Sequence, residues 1–102
     1  MPGPLVGLAW VRATASDPAL RDSLEAVRLG ERAAELTGRK DPSVLDILAA
    51  AYAAAGQFDR AIDAAQAAVS LATASQSPAA VDQIRARLAL YQQHVPYRST
   101  AP

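Results

Sequence analysis

Apolar residues recur along this chain every three to four positions, the spacing that lays one apolar stripe along a helix. The clearest stretch is Leu45-Asp46-Ile47-Leu48-Ala49-Ala50-Ala51-Tyr52, followed by Gly56, Phe58, Ala61, Ile62, Ala65 and Ala68. It reads as two helices folded against each other. A weaker copy lies upstream: Ala26-Val27, Ala33-Ala34 and Leu36 stand thirty-five positions before Ala61-Ile62, Ala68-Val69 and Leu71. A repeat of that length, built from a helix pair that cannot bury its apolar face alone, points to stacked pairs. Strand-like alternation with a period of two is absent from the sequence.

Proline, glycine and capping residues divide the chain into five helical segments. The first runs from Pro4 to about Thr14 and carries Leu5, Leu8 and Val11 on one face. Ser16-Asp17-Pro18 ends it, because the residue before proline is pushed out of the helical region. Asp22 is a good N-cap for the second helix, which is expected to turn Leu24, Val27, Ala34 and Leu36 inward. Glu25, Arg28, Glu31, Arg32 and Glu35 then face outward, and Gly38 suits the left-handed residue that closes a helix.

Asp41-Pro42 opens the third helix as cap and first-turn proline, and Gly56 ends it. The fourth runs from Phe58 to about Ser75. Ser77 and Pro78 open the fifth, where Val81, Ile84, Leu88 and Tyr91 form one stripe. Asp82, Gln83, Arg85, Arg87, Gln92 and Gln93 are expected on its other side. A narrow apolar face opposite a broad polar one suits a helix that covers the end of a stack. The expected domain is 1–95, with one pair at 4–37, a second at 42–75, a capping helix at 78–94 and a flexible tail at 96–102.

Composition sharpens this to an all-α chain with closely packed helices. About a quarter of the 102 residues are alanine, which loses no rotamer entropy in a helix, and only five are aromatic. Ten acidic and ten basic residues are intermixed. No basic stripe is present to neutralise phosphates, so nucleic acid is not an expected partner. The absence of cysteine excludes a disulfide framework and a thiolate metal site. The longest apolar run, Ile47 to Ala55, falls far short of the roughly twenty residues that a membrane span needs. Pro4 to Ala15 lacks the basic leading segment of a signal peptide, and Arg12 interrupts its apolar run, so a cytoplasmic location is expected. Arg outnumbers Lys nine to one, which with the alanine excess points to a GC-rich bacterial genome.

The stretch Pro42 to Ser75 resembles a tetratricopeptide repeat, whose pattern is W-x-x-L-G-x-x-Y, then A-x-x-x-F, then P over about thirty-four residues. Leu45 stands at the Trp position, Leu48 at Leu, Ala49 at the first small residue and Tyr52 at Tyr. Gly56 falls at the turn, Phe58 at the aromatic that opens the second helix, and Ala61 and Ala68 at further small positions. Ala65 replaces an aromatic, and Thr73 stands near the closing proline. The upstream copy is degenerate: Leu8-Ala9 looks like the Leu-small pair and Ala26 like the second small position, with about five residues inserted between them. The order of these motifs, from Leu8 through Asp41-Pro-Ser-Val-Leu-Asp to Tyr91 and Pro96-Tyr97-Arg98, resembles the C-terminal segment of bacterial proteins of this family. The resemblance implies a tetratricopeptide-like α-solenoid fragment of two antiparallel helix pairs plus a capping helix, either the end of a longer array or a small protein descended from one.

No nucleophile motif, phosphate loop or metal-ligand cluster accompanies the pattern. The chain is therefore expected to have no catalytic residues, metal or cofactor, and not to be an enzyme. His94, the single histidine, has no orienting carboxylate or nucleophile nearby in sequence and is read as exposed or packed by the tail. Asp46 and Asp59 fall on different helices and are read as solvated. Trp10 reads equally as an anchor for a partner and as filler between the first two helices. Gly30 inside the second helix costs about 1 kcal/mol relative to alanine, with close approach of a neighbouring helix as the expected compensation.

In the family the resemblance names, binding surfaces lie on the side lined by the first helix of each pair. Here that side would carry Ser43, Asp46, Ala50, Ala53 and Ala54, a shallow trough of small residues suited to an apolar helix or peptide. The expected function is a non-catalytic protein–protein interaction module that binds a peptide or helix through this groove. The alternative is a structural C-terminal cap of a longer array, which in isolation forms a homo-oligomer through Leu5, Leu8, Trp10 and Val11 on its first helix.

Overall fold

A computed structural model describes residues 3–15 and 22–97, with side chains from Gly7 onward. The described chain is all-helical: α1 (Gly3–Thr14), α2 (Ser23–Leu36), α3 (Pro42–Ala54), α4 (Phe58–Ala74) and α5 (Pro78–Gln92), with no strand. All five expected helices are present, with boundaries one or two residues from those read in the sequence. The break at Asp17-Pro18 and the last five residues of the expected tail, 98–102, lie outside the described residues.

Local chemistry accounts for where the helices start and stop. The Asp22 carboxylate accepts from the Glu25 N–H at 3.1 Å. Asp41 accepts from the Ser43 and Val44 N–H groups at 2.9 and 3.4 Å. Each satisfies donors that a helix start leaves unpaired. Ser77 precedes Pro78 at the N-cap of α5 but makes no side-chain cap bond, so the proline alone marks that start.

Four helices close in one way. The N–H of the third residue past the helix reaches back five positions: Arg39 to Ala34, Gln57 to Tyr52, Ser77 to Ala72 and Val95 to Leu90, all at 2.8–3.0 Å. The residue before each donor has a left-handed backbone: Gly38, Gly56, Gln76 and His94, with φ of 65, 79, 57 and 58°. This is the Schellman closure, in which glycine is at ease and a side chain costs about 1 kcal/mol. Only two of the four carry glycine, so only two of these ends were visible to a search for that residue.

Packing follows chain order. Helices consecutive in the chain lie against each other, from α1 on α2 through to α4 on α5, and α1 also packs on α3. Helices α3 and α5 touch over a smaller area, while α2 and α4 make no substantial contact. The first helices of the two pairs thus draw together and the second helices spread.

Small side chains make the close contacts. The main core holds Ala33, Ala34, Ala49, Ala53, Ala61, Ala64, Ala65, Ala68 and Ala72 around Leu45, Leu48, Tyr52, Ile84 and Tyr91. A second cluster, Ala13, Ala26, Ala50 and Ala51, forms where α1, α2 and α3 meet, with Trp10, Val27 and Ala54 against it. Gly30 is the closest approach of α2 to α3, as its place in the sequence implies: a β-carbon there would stand 3.1 Å from Leu48 Cδ1 and 3.4 Å from Leu48 Cα. The thirty-five-residue spacing also carries over, since Ala26 and Ala61, and Ala33 and Ala68, are all buried.

Two inward assignments on α2 need correction. Leu24 is 76% and Leu36 52% exposed, because the contact face of α2 is the Ala26-Leu29-Gly30-Ala33-Ala34 stripe. A contact face built mainly from alanine and glycine, with Leu29 among them, leaves Leu24 and Leu36 outside. Overpacking such a core costs about 1–3 kcal/mol. Ala49→Leu and Ala61→Leu are each expected to lose that much in urea unfolding. So is Ala51→Leu, since Ala51 is fully buried where α1, α2 and α3 meet.

Candidate functional site

Charged and aromatic side chains from several helices converge on the surface shared by α1, α3 and α5. Asp46 sits one turn into α3, directly after Val44 and Leu45, whose burial carries that turn into the core. It remains only 8% exposed. Its partner is Arg87 of α5: Nε donates to Oδ1 at 3.0 Å and Nη2 to Oδ2 at 2.5 Å. This fork-on-carboxylate geometry is the strong form of an ion pair. Burial works against the charged guanidinium, but the hydrogen bonds to Asp46 and its charge more than offset that, leaving Arg87 more basic than usual.

Two rings rest on the same guanidinium. Its central carbon lies 5.5 Å from the Trp10 ring of α1 and 5.3 Å from the ring of Tyr97, which follows α5. The rings are 5.6 Å apart and tilted by 36°. Arg87 and the two rings thus form a triangle of nearly equal sides, with cation–π and aromatic contacts along each edge. Beside it lies a shallow pocket of about 240 Å³ lined by Trp10, Ser43, Asp46, Ile47, Gln83 and Arg87.

Tyr91, one turn beyond Arg87, is completely buried, and its hydroxyl has no hydrogen-bond partner. Burial, reinforced by the Asp46 charge and Tyr97 against the opposing pull of Arg87, pushes its phenol far above the ordinary value of 10.0. Tyr52 of α3 behaves similarly for a different reason. Its hydroxyl donates to Glu31 Oε2 at 2.8 Å, and burial plus that carboxylate raise its pKa, while Arg39 and Arg60 work the other way. The Arg60 guanidinium stands 6.0 Å from the Tyr52 ring.

The expected groove residues do not share one open surface. Ser43 is exposed and Ala54 half-buried, but Ala50 is 0% and Ala53 1% exposed. Helix α1 covers Ala50, packing Ala13 into the same cluster, and Ala53 belongs to the main core. The trough read from repeat phase is therefore filled by neighbouring helices. What remains open on this side is the edge at Ser43, Asp46 and Ile47. Asp46 is corrected from solvated to paired, and Arg87 from outward to inward. Arg87 had a sequence signal, because Ile84, Arg87, Leu88 and Tyr91 are spaced as one helix face.

Trp10 packs on Arg87, Tyr97 and the α1–α3 contact rather than on the exposed edge of α1, so it leaves the set expected for self-association. Leu8 and Val11 do lie exposed on α1, at 40 and 41%. The Leu5 side chain lies outside the described residues. Tyr97 and Pro96 are half-buried, so packing extends past the boundary expected at 95. His94 is exposed and stacks on Phe58, with ring centroids 4.9 Å apart, beside a dent of about 330 Å³ at the start of α4. Asp59 is exposed.

Among the described residues, no group of three or more Asp, Glu, His or Cys side chains is placed to hold a metal ion. No described helix is long and apolar enough to cross a membrane. Chemically, the α1–α3–α5 surface offers planar stacking around an arginine whose charge Asp46 balances.

The buried Tyr91 hydroxyl loses its hydration without gaining a partner, at a cost of about 1–3 kcal/mol. Tyr91→Phe is accordingly expected to be neutral or stabilising in urea unfolding. The phenol also sets a pH dependence. With a folded-state pKa raised above the unfolded value near 10.0, its stabilising contribution is full below pH 10 and is lost as pH climbs beyond it. Wild-type stability should fall above about pH 10, and Tyr91→Phe should flatten that fall, leaving the part due to Tyr52.

Comparison of the chain with protein-family models, with curated proteins and with solved structures gave no match.

Proposed function

We propose that this chain is a non-catalytic protein-interaction module of the tetratricopeptide type, which takes a peptide or helix at the surface formed by α1, α3 and α5. The observation that carries this reading is the convergence of Trp10, Asp46, Arg87 and Tyr97 from three helices and the segment after α5. Aromatic and arginine side chains at the centre of a patch are the residues that dominate binding hot spots. Here they are held rigid by a buried ion pair, beside a pocket whose remaining lining (Ser43, Ile47, Gln83) is uncharged.

The helix order supports the family part of the reading. Consecutive pairing, contact between the first helices of successive pairs, and a final helix laid on the last pair are the arrangement that stacked helix pairs produce. Closure of α2 through α5 by one backbone motif is a second, sequence-independent sign of repetition.

The structural-cap reading rests on a different observation: Leu8 and Val11 lie exposed along α1, an apolar edge where a preceding repeat would pack. The two readings separate experimentally. Selection from a displayed random-peptide library, followed by backbone amide shift mapping, should yield binders that perturb Ser43, Ile47 and Gln83. Binders that leave those amides unmoved, or none at all, would remove the module reading. If instead light scattering finds a dimer that Leu8→Asp converts to monomer, the cap reading gains what the other loses.

A further inference from the structure

Tyr97 belongs to the same chain as the platform it sits on, and it gets there by a short route. Helix α5 ends at Gln92, His94 turns the chain in the left-handed conformation, and the Val95 N–H closes the helix on Leu90. Pro96 then fixes the backbone of the residue before Tyr97. The platform beneath does not need the tyrosine to exist. Arg87 is held by the two hydrogen bonds it donates to Asp46, and Trp10 is packed against the alanine cluster of α1, α2 and α3. Tyr97 is half-buried at the edge of the main core and adds ring contacts to Trp10 and Arg87.

We propose that residues 95–97 are a built-in occupant of the binding face, and that the partner is an extended segment presenting an aromatic side chain after a proline, which displaces Tyr97 from Trp10 and Arg87. This rests on the interaction-module reading and names the partner chemistry it leaves open. The tail of the chain shows what the platform accepts: a flat ring that meets the Trp10 ring and the guanidinium together, at 5.6 and 5.3 Å. The occupant is not an acidic peptide, because the charge of Arg87 is already balanced by Asp46, which takes its Nε and Nη2 donors. Nor is it a helix, because residues 95–97 lie outside any regular element and Pro96 disfavours helical backbone at Val95. Since the strap is tethered, its local concentration is about millimolar, and an external segment must outcompete it.

The single tryptophan makes the site its own reporter. Full-length Tyr97→Ala is titrated with the nine-residue peptide of sequence 94–102, with the same peptide carrying alanine for tyrosine, and with buffer, while Trp10 emission is followed. Expected are a saturable change with the tyrosine peptide and none with the alanine peptide. The intact wild type, and Tyr97→Phe, should respond about tenfold more weakly because their own ring holds the place. The proposal falls if correctly folded Tyr97→Ala (by circular dichroism) shows no saturable response. It also falls if both peptides bind alike, if wild type and variant bind alike, or if Tyr97→Ala fails to fold, which would make Tyr97 part of the core. A library-selected binder that maps to Ser43, Ile47 and Gln83 and ignores Tyr97→Ala would overturn the tail inference while leaving the module reading intact. No binder on either background overturns both.

Discussion

Helix axes come together only as closely as the side chains between them allow, and in this protein those side chains are mostly alanine and one glycine. Gly30 against Leu48, the alanines of α3 and α4, and the Ala13-Ala26-Ala50-Ala51 cluster set the spacing of every neighbouring pair. Close spacing brings backbone near backbone and gains dispersion contacts over the whole length of a helix. It also removes freedom: an extra methylene at such a contact has nowhere to go. The exposure of Leu24 and Leu36 follows from this constraint, because the contact stripe of α2 is built from alanine and glycine with Leu29 as its one large residue.

An alanine core has a weakness that the polar contacts address. Small side chains are nearly interchangeable, so they fix how near two helices lie better than how they are rotated or slid. Long-range polar pairs supply that register. Arg87 meets Asp46 across forty-one positions of sequence, and Tyr52 meets Glu31 across twenty-one. The first links α5 to α3, whose direct contact area is small, and the second links α3 to α2. A buried ion pair is a poor source of net stability, since desolvation of both ions cancels much of their attraction. Its value here is directional, because the forked geometry is satisfied in one arrangement of α5 on α3. The same pair holds the face of Arg87 toward Trp10.

Much of the fold was legible because helix boundaries are written locally. Asp22, Asp41-Pro42, Gly38 and Gly56 act within a turn of themselves, and each marks a real helix end. The repeat spacing was legible because burial of Ala26 and Ala61 depends on the same face being presented twice. The site was not legible to the same degree. Asp46 and Arg87 each look like an ordinary solvated charge until α5 is laid on α3, and nothing local announces that docking. Ala50 and Ala53 looked like a groove floor because repeat phase says which face they share but not how deeply α1 and the core cover it. Gln76 and His94 close helices without being glycine, since backbone hydrogen bonds at those ends outweigh about 1 kcal/mol of strain. Tyr97 stood in a segment whose prolines suggested a free end, and proline instead shapes the approach to the platform.

A tethered ring on a rigid platform has consequences that depend on magnitude. An aromatic or cation–π contact at a partly exposed site contributes about 0.5–1.5 kcal/mol, and Tyr97 makes one of each. A net strap energy of about 1–2 kcal/mol would keep the face covered in most molecules and lower the apparent affinity of a competitor about 5- to 30-fold. That is enough to exclude casual apolar contacts while a partner with one ring and a few backbone hydrogen bonds still displaces it. A strap several times stronger would close the face for good, and one much weaker would leave Trp10 and Arg87 open to any passing ring. The Asp46 fork is what permits this middle range: it holds the guanidinium in place whether or not the ring is there, so opening the strap leaves the receiving surface already formed.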